Sequence, residues 1–227
     1  MTHRHTARAS LAVGALAAAV AGCASLPAWV PGSPNSAAAL DARAAQMIAA
    51  SFRDQGIARV ERLRQDEANE ACSKIGTGEL PEALAKRIET ANLATVRPPS
   101  DGRYLGDWKR GETLAQNGRG MTWTDASASP AGNGGNCYNC HRISDAEISY
   151  GTIGPSLHQY GKLRGVTDPA SPAARAMIEY TWGKLWNARA YNACSSMPRF
   201  GHAGLLDESQ LKDLMALLLD PRSPVNQ

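Results

Sequence analysis

The stretch GNCYNCHRIS, residues 135–144, constrains this chain more than any other. It sets Cys137 and Cys140 two residues apart, with His141 directly after them. A C-x-x-C-H run is the attachment signal for haem c. Each thiol adds to a vinyl group, and the gap spaces the sulfurs by about one helical turn. The imidazole then falls beneath the iron as its fifth ligand. A chain that holds one covalent haem must build its core around the macrocycle. Two other uses of the motif compete. A zinc site needs a second close pair, whereas Cys72 and Cys194 are isolated. A dithiol redox centre needs a strand–helix setting.

The rest of the chain fits a helical answer. Its 227 residues suit one domain with an elaboration, or two small ones. Alanine is abundant and aromatic residues make up only 6 %. No run of alternating β-branched residues marks a strand. The expectation is therefore an all-α fold. A formal charge of +3 is too weak for a nucleic-acid partner, which demands a strongly basic face.

Residues 1–22 read as an export signal. A basic start with Arg4 and Arg8 precedes the apolar LAVGALAAAVAG, too short for a final membrane span. Its removal takes two arginines and no acid, leaving a charge of +1. The run VAGC resembles a lipoprotein cleavage site, which would make Cys23 the lipid-bearing end. The alternative is a signal cut slightly later. Residues 23–39, with PAWVPGSPNSAAA, read as a flexible tether. Residues 40–98 read as an N-terminal helical extension, with helices over 40–54, over 57–75 and from Pro81. The break VRPPSDG at 96–102 then opens a second unit over 99–227.

In that unit Asp107 can cap a helix carrying Trp108, Gly111 and Leu114, and 121–136 is a polar loop. A helix is expected around 172–190, with Trp182 and Trp186 one turn apart. Asp207 and Gln210 open a last helix in capping-box fashion. Its apolar stripe is Leu206, Leu211, Leu214, Leu217 and Leu218, and Asp220-Pro221 stops it.

The iron needs a sixth ligand or an open site. The candidates are Met197, His158, His202, Met121 and Met177. Met197 is preferred, because Pro198 stiffens its loop and keeps a helix from absorbing it. His202 is the rival. A His/Met pair raises the reduction potential and suits electron transfer. Pro155 offers its carbonyl to the second ring nitrogen of His141, unless Gly154-Pro155 is an ordinary turn. Trp182 and Trp186 would line a haem wall or simply fill core. One cysteine for lipid and two for haem leave Cys72 and Cys194. In an oxidising compartment these are expected to pair, the alternative being a reactive thiol at Cys194.

The order of RGETL, C-x-x-C-H, GPSL, MPRFG and a closing leucine helix resembles the class I c-type cytochromes. Within them, GGNCYNCHRI, YGTIGPSLHQYGKLRG and CSSMPRFGHAGLLDESQLKDLMALLLDPRSPVN resemble the SoxX family, the small monohaem subunits of SoxXA sulfur-oxidation complexes. The resemblance covers about residues 105–226. It implies a class I cytochrome c fold with one haem c held by Cys137 and Cys140 and ligated by His141 and Met197. It implies a SoxA-like large haem subunit as partner, a SoxYZ-like carrier whose cysteine receives thiosulfate, and a soluble cytochrome c as acceptor. This chain would pass electrons and would not be catalytic alone. Its residence would be the periplasm, free or tethered. Two features depart from the pattern. Leu217 stands where class I cytochromes commonly have an aromatic, and a lipid-bearing cysteine is not general in SoxX.

Overall fold

The structure is a computed structural model that describes residues 34–76 and 78–227. The leader, Cys23 and the tether up to residue 33 lie outside the described residues. The described residues form helices and turns without a strand, as expected, and an isolated antiparallel bridge joins Gln55 and Ala58. The chain divides at Phe52 and Arg53 into two units. The first contains helix α1, Ala37–Ser51, capped by the Ser36 hydroxyl, which accepts from the Ala39 N–H. The helix expected over 40–54 thus starts three residues earlier.

The second unit, Arg53–Gln227, holds six helices among its described residues: α2 (Glu67–Lys74), α3 (Glu82–Leu93), α4 (Trp108–Gln116), α5 (Tyr160–Leu163), α6 (Arg175–Trp186) and α7 (Glu208–Leu219). The single helix expected over 57–75 is split. Val60–Leu63 forms a short 3₁₀ turn, and Asp66 starts α2 by accepting from the Asn69 N–H at 2.8 Å. An aspartate that can cap competes with the helix interior, and here the cap wins. The helix expected around 172–190 is interrupted too. Buried Asn187 ends α6 and opens a short turn over Ala188–Ala190.

The core is built on α7. Asp207 and Gln210 form the expected capping box. Leu211, Leu214, Leu217 and Leu219 are almost completely buried, each contributing at most about 2–3 kcal/mol. Helix α4 crosses α7 closely at Gly111, where a Cβ would sit 2.1 Å from the Asp213 carbonyl oxygen. A buried carboxylate costs stability unless it is paired. Asp213 is paired: Arg110 Nε and Nη2 donate to it at 2.8 and 2.9 Å, and the Asp107 N–H at 2.7 Å.

Residues 53–98 belong to the same compact unit as 99–227. Trp182 Nε1 donates to the Arg97 carbonyl at 2.7 Å, across the expected break. Asn187 donates to Asn92 Oδ1 and Thr95 Oγ1. Cys72 and Cys194 form the expected disulfide, with Cα atoms 5.6 Å apart.

Candidate functional site

The motif sits on a tight turn. Asn136 takes a left-handed conformation, Cys137–Asn139 form one 3₁₀ turn, and the Cys140 and His141 N–H groups both donate to the Cys137 carbonyl. Neither Cys137 nor Cys140 is in a disulfide. Burial pushes the Cys137 thiol up to about 12, so it is protonated at neutral pH. Redox-active dithiols need the opposite shift. Among the described residues, no three His, Cys, Asp or Glu side chains are grouped to hold a metal ion.

His141 is buried and oriented. Its Nδ1 lies 2.6 Å from the Pro155 carbonyl. A carbonyl can only accept, so Nδ1 carries a proton, and in the neutral tautomer that this contact selects the lone pair is on Nε2. The ring lies flat on Gly154, where a Cβ would stand 2.2 Å from Cε1 and 2.5 Å from Nδ1. The loop is fastened to the motif, since the Gly154 N–H donates to the Cys140 carbonyl and the Gly151 N–H to that of Tyr138. Gly154-Pro155 is therefore a seat for the imidazole as well as a turn.

The fold brings Cys137, Trp186 and Met197 against one apolar core containing Tyr138, Leu214 and Phe200. Met197 follows the disulfide by three residues, and its N–H donates to Ser195 Oγ. The two tryptophans differ. Trp182 is buried, its N–H is spent on Arg97, and its ring meets Tyr104 edge-on. Trp186 packs beside it, but its buried Nε1 has no hydrogen-bond partner among the described residues. A buried donor without an acceptor is costly. An acidic group on a cofactor in this core would satisfy it, so the residues present fit a haem.

The remaining ligand candidates are placed otherwise. His202 is exposed, and partial burial with the nearby Arg199 lowers its pKa. His158 Nδ1 is buried without a hydrogen bond, 3.7 Å from Asp145. Met177 Sδ accepts weakly from Tyr160 Oη at 4.0 Å. Met121 lies in the 121–136 loop, and its carbonyl accepts from Arg62.

Sequence reasoning missed a charged group behind the Met197 loop. Asp66 accepts from Arg189 at 2.9 Å and lies 2.6 Å from Arg199 Nη2. Only the fold joins residues so far apart in the chain.

No protein-family model matches the chain. It is similar to an uncharacterised lipoprotein of Aquifex aeolicus (strain VF5), 34 % identical over 173 residues, which span 72 % of this chain and 73 % of that protein.

Proposed function

This chain belongs to the family of the Aquifex aeolicus lipoprotein, and on that premise we propose that it is a membrane-tethered envelope cytochrome that carries electrons on one covalent haem c. The observation that carries the reading is the placement of His141. The ring follows the Cys137/Cys140 pair directly, holds its Nδ1 proton on Pro155 and leaves Nε2 free to ligate. Cys137 and Cys140 would form the two thioethers. Met197 would help hold the iron through its thioether, and Trp186 Nε1 would offer a hydrogen bond to an acidic group of the cofactor. When bound, the haem supplies a one-electron couple. The chain's own groups set its conditions. The Pro155 carbonyl would fix the tautomer and orientation of the imidazole, the Met197 thioether would favour the reduced state, and the apolar core would exclude water. With His141 and Met197 both holding the iron, the chain would offer a substrate no ligand position of its own. The close crossing of α4 and α7 supports a class I cytochrome c fold.

Within that class, the SoxX-like strings support a subunit role in thiosulfate oxidation. A SoxA-like haem subunit would deliver electrons as thiosulfate is joined to a cysteine of a SoxYZ-like carrier. This chain would hand them to a soluble cytochrome c. A second reading is a free-standing tethered carrier. The lipoprotein relative favours it, since a lipid tether is not general in SoxX.

The ferric protein should show the weak near-infrared charge-transfer band of a thioether–iron bond. Met197→Ala should abolish the band and lower the potential. A band that persists in Met197→Ala contradicts the assignment. Purification from cells grown on thiosulfate, with a SoxA-like subunit retained, would decide for the complex over the free-standing carrier.

A further inference from the structure

The Met197 loop also borders α2. A cavity of about 620 Å³ lies there, bounded by the Cys72–Cys194 disulfide. Its walls include Arg189, Arg199, Asn69, Ser73, Ser195 and Ser196, and among the described residues none of the lining is acidic. The one carboxylate in contact with both guanidiniums, Asp66, stands outside the lining. Two cations against one carboxylate leave a net positive charge at the wall. The arginine side chains are well sheltered, 11 % exposed for Arg189 and 24 % for Arg199, so the charge is screened less than at an open surface.

Donors also outnumber acceptors. Each guanidinium carries five N–H groups in a fixed fork. Arg189 uses Nη1 on Asp66 and Nη2 on the Asn69 amide oxygen. Arg199 meets Asp66 through Nη2 at 2.6 Å, and among the described residues no hydrogen bond from its Nε or Nη1 is seen. Ser195 and Ser196 belong to the same wall, and the Ser195 Oγ accepts from the Met197 N–H at 3.3 Å. A concave site with surplus charge-assisted donors and no lining carboxylate selects a small oxyanion.

We propose that this cavity binds a tetrahedral oxyanion beside the Met197 loop. Sulfate, thiosulfate and phosphate share the necessary chemistry. If the chain works in thiosulfate oxidation, a sulfur oxyanion is the form on hand, and that refinement rests on the functional reading above. Ser196 adjoins Met197 in the chain, so an anion held there would add negative charge next to the thioether.

The test is calorimetric titration of the mature full chain, as purified from a host with haem c attachment machinery, with sodium thiosulfate, sulfate and phosphate separately, at an ionic strength fixed with chloride. Saturable one-site binding is expected, weakened about tenfold in Arg199→Gln by loss of a charge-assisted bond. Arg199→Lys keeps the charge and the pairing with Asp66, and should recover part of the affinity. Preference for thiosulfate assigns a sulfur ligand, whereas equal affinities assign a general oxyanion site. Absence of saturable binding overturns the proposal, as does binding unchanged in Arg199→Gln. Haem content measured on the same samples separates the two claims. Anions bound by haem-free protein would leave this site standing and remove the cytochrome reading, and haem without anion binding would do the reverse.

Discussion

At the scale of single residues, Gly154 and Asp66 carry the most argument. Gly154→Ala would place a methyl 2.2 Å from the His141 ring, so the imidazole or the Pro155 loop must move. Overpacking of this kind costs about 1–3 kcal/mol. The variant should lose thermal stability and show a perturbed ligand-field spectrum, and an unchanged spectrum would mean that the ring is not seated as described. Asp66 titrates. Burial alone would raise its pKa, but the Asn69 N–H and the guanidiniums of Arg199 and Arg189 outweigh that and hold it below the ordinary 3.8. A depressed carboxyl lends stability that is present above its unfolded pKa and lost as pH falls through the folded one. Asp66→Asn should therefore be less stable than wild type at neutral pH, and the two should converge below about pH 4. Urea midpoints measured across that range check it. The contact of His141 Nδ1 with the Pro155 carbonyl was legible because C-x-x-C-H and Gly-Pro are local patterns. The pairing of Asp66 with Arg189 and Arg199 was not, because alternating charges in 57–75 read equally well as a solvated helical face.

At the scale of elements, legibility followed the strength of the caps. Helices α4 and α7 stand where Asp107 and the Asp207–Gln210 box placed them. The 57–75 segment broke because Asp66 capped a new helix from within a run that also had helical spacing. The two tryptophans share a helical face in sequence, and only the approach of Arg97 separates the satisfied N–H from the open one. The cysteine count predicted the Cys72–Cys194 bridge, which ties α2 to the loop bearing Met197. The bridge spans a sequence separation of 122 residues and stabilises by at most ~5 kcal/mol on the chain-entropy view. Replacing both cysteines with serine should lower the denaturation midpoint and broaden the Met197-dependent near-infrared band. A double variant as stable as wild type would show that the arginine–Asp66 contacts alone hold the loop.

At the scale of the whole molecule, the apolar core, the His141 ring seated on Pro155 and the disulfide-braced Met197 loop are the features that support the proposed covalent haem. The central claim is that Cys137 and Cys140 are thioether carriers and not a dithiol. Intact-mass spectrometry under denaturing conditions tests this most directly, on protein matured in a host with haem c attachment machinery. The mature chain should carry the mass of exactly one haem, and Cys137→Ala with Cys140→Ala should carry none. A wild-type mass of the bare polypeptide, with both thiols open to alkylation, would contradict the account.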